Sequence, residues 1–409
     1  MKKKLVILPM IAIMVIGIMF SPVRVLAIEV LGNSEELVQK EDYLKFASDI
    51  VEKYYRNKDL GENNDFSNNV SSDLMKLLAT KIEMGQLQNQ ILDLNYKDYQ
   101  IEINPYQTKE WVESENEIFM ILRVERSWFY SSDKTTSSEL QEITLSKNES
   151  GDMQMVGCYD QYENITLGPI DQLYQDAKAL RANADESNAD AFLENYKKDF
   201  EEQCLKKKDQ LILDAKESTG ISKDIELNAK TSLTRSDIRD WARTNYNKDN
   251  PKSSNSSVSY YDFSEIKGAY DCTNFVSHAL LAGGATLHDK GGSGIVGTDQ
   301  WYYRSLSNRS SSWAGVNELY DFLTRKNPGN NNIGPYGTEK DLTYENAFLG
   351  DIVQGHNGKI WRHSTVVTKF ENNKVYVTGR TAKDVYNDNQ LATTIYGTQR
   401  LIYLEGNYN

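Results

Sequence analysis

Two hydrophobic periodicities alternate along this chain. Tyr43, Phe46, Ala47, Ile50, Val51 and Tyr54 recur at helical spacing. Leu74, Leu77, Leu78 and Ile82 predict a second helix, with Ser71, Ser72 or Asp73 placed to cap it. The period then shortens to two. Tyr99, Ile101 and Ile103 alternate with polar neighbours, EIFMILRVERSWFY is apolar enough for a central strand, and ELQEITLSKNESGDMQMVGCY reads as two strands joined by a polar turn at Gly151. From Pro169 to Leu213 the helical period returns, and Phe192, Leu193, Tyr196, Phe200 and Cys204 share one face. KESTGISKD is a joint, after which Ile238, Trp241, Ala242 and Tyr246 mark another helix.

The first residues follow neither period. Lys2, Lys3 and Lys4 precede an apolar run from Leu5 to Phe20 that ends near the small residue Ala27. This is the pattern of a secretory signal cleaved after Ala27, and the run is short of the roughly 20 residues that span a bilayer. An uncleaved anchor is the alternative, and only then would the protein contact a membrane. The predicted organisation is a signal peptide at 1–27, an α+β domain of unassigned role at 36–167, helical connectors at 168–231 and a C-terminal domain at 232–409. Two helices followed by antiparallel strands resembles a cystatin-like or nuclear-transport-factor-like element order.

Charge narrows the partners. The net charge of −13 becomes −17 when Lys2, Lys3, Lys4 and Arg24 leave with the signal, so no general field attracts nucleic acid. There is no H-E-x-x-H and no paired C-x-x-C, so neither a metal nor a cofactor is expected. Cys158, Cys204 and Cys272 are the three cysteines, an odd count that leaves at least one thiol unpaired. A Cys158–Cys204 bridge is open on sequence grounds, while the face shared with Phe200 makes Cys204 a buried structural thiol.

The third cysteine has a different setting. In AYDCTNFVSHALLAGG, Asp271 suits an N-cap, Phe275, Val276, Ala279 and Leu280 repeat helically, and Gly283-Gly284 ends the helix. Cys272 therefore opens the helix, where the partial positive charge of the N-terminus favours thiolate. Such a nucleophile needs a base. His278 lies ~9 Å further along the same helix axis. His288, in a Gly-rich loop, reads as an exposed polar residue, and His356, beside the Asn357-Gly358 turn, as a solvated one. His363, in the strand IWRHSTVVTKF, is flanked by Trp361, Val366 and Val367 and reads as buried, so it needs a polar partner. Trp313 reads as core, WYYR at Trp301–Arg304 is left open, and Thr273 and Asn274 read as helix-end residues.

These stretches, YDCTNFVSHALLAGG, Trp301, SSSW, LGDIVQ and HSTVVTKF, resemble in order the putative amidase domain of Gram-positive bacteria. That domain is similar to NlpC-type and CHAP-type cell-wall hydrolases of the papain-like group. The resemblance spans about residues 232–409. It implies Cys272 as nucleophile, His363 as base, and a Cys-bearing helix on a small antiparallel sheet with GDIVQ, WRHSTVVTKF and NKVYVTG as successive strands. The family places a histidine where this chain has Arg380, which only donates hydrogen bonds and cannot hold the imidazole tautomer. Thr378, Thr381 or Asp384 are the substitutes in reach, and Asp384 has the right chemistry. The expected fold is α+β with a papain-like C-terminal domain. The expected function is a secreted Cys–His amidohydrolase or peptidase working through a thioester on peptide or peptidoglycan-like substrates. A catalytically degenerate wall-binding module and a thiol acyltransferase are the alternatives.

Overall fold

A computed structural model describes residues 34–106, 112–113, 117–130, 132–179, 187–217, 233–253, 255–324 and 333–408. The signal segment lies outside the described residues, as does the KESTGISKD joint from Ser218 onward. The chain divides into two compact units, residues 1–46 and 47–409. The second holds the C-terminal domain and all of the 36–167 region from Ala47 onward.

The principal helices are α1 (Ser34–Leu60), α2 (Ser72–Ile91), α3 (Ile170–Ala179), α4 (Ser187–Glu217), α5 (Arg235–Asn245), α6 (Cys272–Ala282) and α7 (Val316–Leu323). The principal strands are β1 (Lys97–Pro105), β2 (Glu117–Phe129), β3 (Lys134–Lys147) and β4 (Met153–Asp160), then β5 (Gly334–Lys340), β6 (Ile352–His356), β7 (Trp361–Glu371), β8 (Lys374–Ala382), β9 (Val385–Leu391) and β10 (Thr398–Tyr408). The protein is therefore mixed α+β, as expected. The three predicted C-terminal strands match β6, β7 and β8 in order. Ser71 caps α2 by accepting the Leu74 N–H, one of the three residues foreseen for that role.

The principal strands join one antiparallel sheet in the order β1-β2-β3-β9-β8-β7-β6-β10-β5, with β4 on the other half of the β3 edge. The junction between the two sequence regions is the β3–β9 ladder, where Ser138 faces Tyr386, Ser137 faces Asn387 and Thr136 faces Asp388. Strand β9 is VYNDNQL, polar in composition yet buried along its whole length. It tolerates burial because its polar groups are bonded: Asn387 Nδ2 donates to Val377 O and Asp388 accepts from Thr378 Oγ1.

One face of the C-terminal half packs Phe275, Val276, Ala279 and Leu280 of α6 against Ile352, Val366 and Ile402, together with Trp301, Trp313 and Phe322. The aromatic segment left open by the sequence is thus core: Trp301 is fully buried and its indole N–H donates to Ser277 Oγ at 3.1 Å. The opposite face holds Val353, Val367, Val377, Ile395 and Leu401. All three cysteines are free and buried, so the Cys158–Cys204 bridge is absent.

Candidate active site

Helix α6 begins at a break in the sheet. The β7–β8 ladder runs only from Val366 opposite Thr378 to Glu371 opposite Lys374. Ahead of Val366 the two strands separate, and the first residues of α6 enter the gap. The Asp271 N–H donates to Thr381 O of β8 at 2.8 Å. On the β7 side, the Cys272 thiol donates to Arg362 O at 3.8 Å and accepts from the Ser364 N–H. The thiol therefore binds the backbone immediately before and after His363. A second contact joins Thr273 Oγ1 to Ser364 Oγ at 3.2 Å, fixing the helix on the strand.

Asp271 stands at the N-cap position, but its carboxylate does not cap the helix. Oδ1 accepts from the Phe263 N–H at 3.0 Å and from Asn274 Nδ2 at 2.9 Å; Oδ2 accepts from Arg380 Nε at 3.0 Å and from the Tyr260 hydroxyl. The N–H groups of the first helical turn are thus not consumed by a side-chain cap. Burial and the neighbouring Asp262 push the Asp271 carboxyl up to about 7, against the pull of Arg380 and Tyr260.

Arg380 explains its own presence. It is wholly buried, and besides Asp271 it binds Asp262 at 2.5 Å and the carbonyls of Tyr246 and Lys248 at 3.2 and 2.8 Å. It ties β8 to the chain entering α6 and does not address the imidazole. Asp384, expected as the third residue, turns elsewhere too. Its carboxylate takes Arg123 Nη1 at 3.0 Å, and its carbonyl takes Ser138 Oγ at 2.7 Å. Thr378 is bonded to Asp388, and Thr381 serves through its carbonyl.

The polar side chain beside the imidazole is Asn387 of β9. A Cβ placed on Gly379 would lie 3.2 Å from His363 Nε2, 3.3 Å from Asn387 Oδ1 and 2.7 Å from Thr365 Cγ2. Gly379 is therefore the open square over which ring and amide approach. With Nδ2 given to Val377 O, the amide leaves Oδ1 as an acceptor for a ring N–H, and this contact raises the basicity of His363. Nε2 itself is buried with no close hydrogen-bond partner. The sequence reading missed Asn387. The available signal was its place on the strand after the one carrying Arg380, which the polar composition of VYNDNQL obscures.

Cys272 and His363 both rest neutral. Burial pushes the Cys272 thiol up, and burial pushes His363 down to about 4. Among the described residues, the polar contacts of the thiol do not include the His363 ring. The other histidines separate cleanly. His278 is buried in an aromatic box of Trp241, Tyr260 and Trp313, where desolvation holds it down at about 3. His288 is not exposed as expected: it is 2% accessible, because its backbone exchanges two 3.0 Å hydrogen bonds with Trp301. His356 is half-buried against Trp361.

A cleft opens beside His363. Its walls come from both halves of the chain: Tyr162 to Ile165 on one side, Tyr270, Arg362 and Thr381 around the histidine, and His356, Ile395 and Tyr396 opposite.

Residues 232–403 match the family described as a putative amidase domain, which accounts for less than half of the chain. No curated protein and no solved structure matches the chain. The family match supports hydrolysis of amide bonds as the chemistry of the C-terminal part.

Proposed function

We propose that this protein is an exported cysteine amidohydrolase in which Cys272 is the nucleophile, His363 the general base and Asn387 the residue that orients the base. The observation carrying the proposal is the wedge: a helix-start thiol hydrogen-bonded to the strand backbone on both sides of His363, a buried histidine that borders the cleft.

The chemistry follows from the neutral resting pair. Asn387 Oδ1 is the acceptor available to one ring N–H as the ring and amide close up, leaving the other ring nitrogen with a lone pair. That nitrogen takes the thiol proton as sulfur attacks the substrate carbonyl, so no thiolate need be stored beforehand. The tetrahedral oxyanion is met by first-turn N–H groups of α6, which the Asp271 carboxylate leaves uncapped. The imidazolium gives its proton to the leaving amine, a thioester forms, and water hydrolyses it by the same route in reverse. Papain-like kinship and cell-wall peptides as substrates rest on the sequence resemblance. Export rests on the 1–27 segment.

The degenerate-binder reading drew its motive from Arg380. That arginine is engaged with Asp271 and Asp262, and an amide stands where an orienting group is needed, so the motive falls away.

The test is hydrolysis of isolated cell-wall peptides and model peptide amides, with product analysis in the presence and absence of an added amine. Wild-type turnover lost in Cys272→Ala and in His363→Ala is the expected result. Turnover that survives Cys272→Ala would sink the proposal, and transferred rather than hydrolysed product would make the protein an acyltransferase.

A further inference from the structure

We infer that Arg362 is the anchor for a carboxylate on the amide substrate, and that Glu163 holds that anchor's place in the resting protein. The inference rests on the reading of Cys272 and His363 as the reacting pair and names the class of substrate: an acidic peptide.

Of the described residues lining the cleft, Arg362 is the one lysine or arginine and Glu163 the one acid. Arg362 and His363 border the same cleft, so a group held by the guanidinium lies near the imidazole. Its guanidinium rests 3.7 Å above the Tyr270 ring, which is itself braced edge-on by Tyr162 at 5.9 Å. A guanidinium supported on one face keeps its edge for a carboxylate, which it binds best through two parallel N–H donors. That edge is underused here. Nε is shielded from solvent without a hydrogen-bond acceptor, and the Glu163 carboxylate stops 3.8 Å away. Both side chains of the pair are about 30% accessible, 31% and 28%, so the contact is weak and exchangeable.

The placement of Glu163 is built rather than incidental. Its φ of 65° lies in the left-handed region that a glutamate seldom occupies. The loop is held there by Asn164 Oδ1, which accepts from the N–H groups of Thr166 at 2.8 Å and Leu167 at 3.0 Å. Across the cleft, the Tyr396 N–H donates to Ile165 O at 2.6 Å, and Gly168 lies so close to the Tyr396 ring that a Cβ would stand 2.5 Å from it. The protein is strongly acidic overall, at −13, so an anionic substrate gains nothing from the general field and needs one fixed cation. Arg362 supplies it. A substrate carboxylate that reaches the guanidinium edge at Nε displaces Glu163 and sets the neighbouring amide against the thiol.

The experiment measures binding, so that it stands apart from catalysis. Full-length Cys272→Ala protein is titrated with acetylated four-residue alanine peptide amides carrying a single Glu at each position in turn, each matched by its Gln isostere. At one position the Glu peptide should bind about tenfold tighter than the Gln peptide, with the ratio falling as salt rises. In Cys272→Ala/Arg362→Gln that ratio should collapse to near one, and Arg362→Lys should keep part of it. In Cys272→Ala/Glu163→Gln, a change far from the packed core, the Glu peptide should bind tighter still. No Glu preference at any position, or a preference unchanged in Arg362→Gln, overturns the inference. Loss of hydrolysis with the Glu preference intact would instead tell against the reacting pair.

Discussion

At the scale of single residues, the assignments separate groups that share a neighbourhood. Asn387 is a positioning residue, so its variants should move the pH profile as well as the rate. The acid limb of kcat/KM belongs to His363, which must be neutral to act as base, and burial sets that limb near 4 rather than at the ordinary 6.5. Asn387→Ala should lower kcat about 10- to 100-fold and shift the limb further down, because a contact that favours the imidazolium is lost; Asn387→Asp should shift it up. A rate loss with an unmoved limb would mean that Asn387 only packs. Asp384→Asn offers the contrast. Its partner Arg123 is a third exposed, so the change should cost at most about 1 kcal/mol in urea unfolding and leave kcat within about twofold. Arg380→Met is different again. It leaves Asp271 and Asp262 buried without their cation, and unfolding should become easier by about 3–5 kcal/mol, lowered to the extent that Asp271 takes up a proton.

At the scale of elements, the site depends on where two strands part. Helix α6 supplies the thiol, but only the separation of β7 from β8 ahead of Val366 lets the helix start reach the backbone around His363. Gly379 keeps the space between ring and amide open. Gly379→Ala would press a methyl against Thr365 Cγ2 and the imidazole, so it should cut turnover about tenfold or more while circular dichroism stays native. Restored turnover in Gly379→Ala/Thr365→Ser, which removes the methyl in the way, would confirm that the clash is local. The helices and the three strands β6 to β8 were legible in the sequence because apolar spacing on a helix or a two-faced strand records burial directly. Strand β9 was not. Its polar side chains are buried between β8 and β3, and hydrogen bonds between strands distant in sequence leave no periodic trace.

At the scale of the whole molecule, the N-terminal region does more than space the C-terminal one. It completes the sheet along β9 and forms one wall of the cleft. Residues 232–409 produced alone should expose the β9 edge and gather into oligomers on size exclusion, with little of the full chain's activity. A monomeric, fully active fragment would remove the buttress role. The buried histidines also make stability depend on pH. His363 and His278 are held neutral, with folded values near 4 and 3 against 6.5 unfolded. Between those limits the unfolded chain binds more protons, so their contribution is complete above pH 6.5 and is lost as pH falls toward 4 and then 3. Chemical denaturation at pH 7 and 4.5 should show this loss, and His278→Phe should flatten part of it.

The sequence by itself determined the parts that local chemistry writes into neighbouring residues: an acidic protein with no metal motif, a cysteine opening an apolar helix, and a histidine in a strand flanked by Val366 and Val367. It also carried the order of those parts, which is why the family resemblance could be seen across 232–403. Only the tertiary structure decided who stands beside whom. Arg380 is read as an obstacle to catalysis until its guanidinium is found between Asp271 and Asp262; Asp384 is read as a third residue that could orient the imidazole, and in the fold its carboxylate binds Arg123, 261 residues away in the chain. The physical reason is the same in each case. A hydrogen bond or ion pair acts over about 3 Å in space and carries no memory of separation along the chain, so the partner of a buried polar group is fixed by packing and not by its neighbours in sequence.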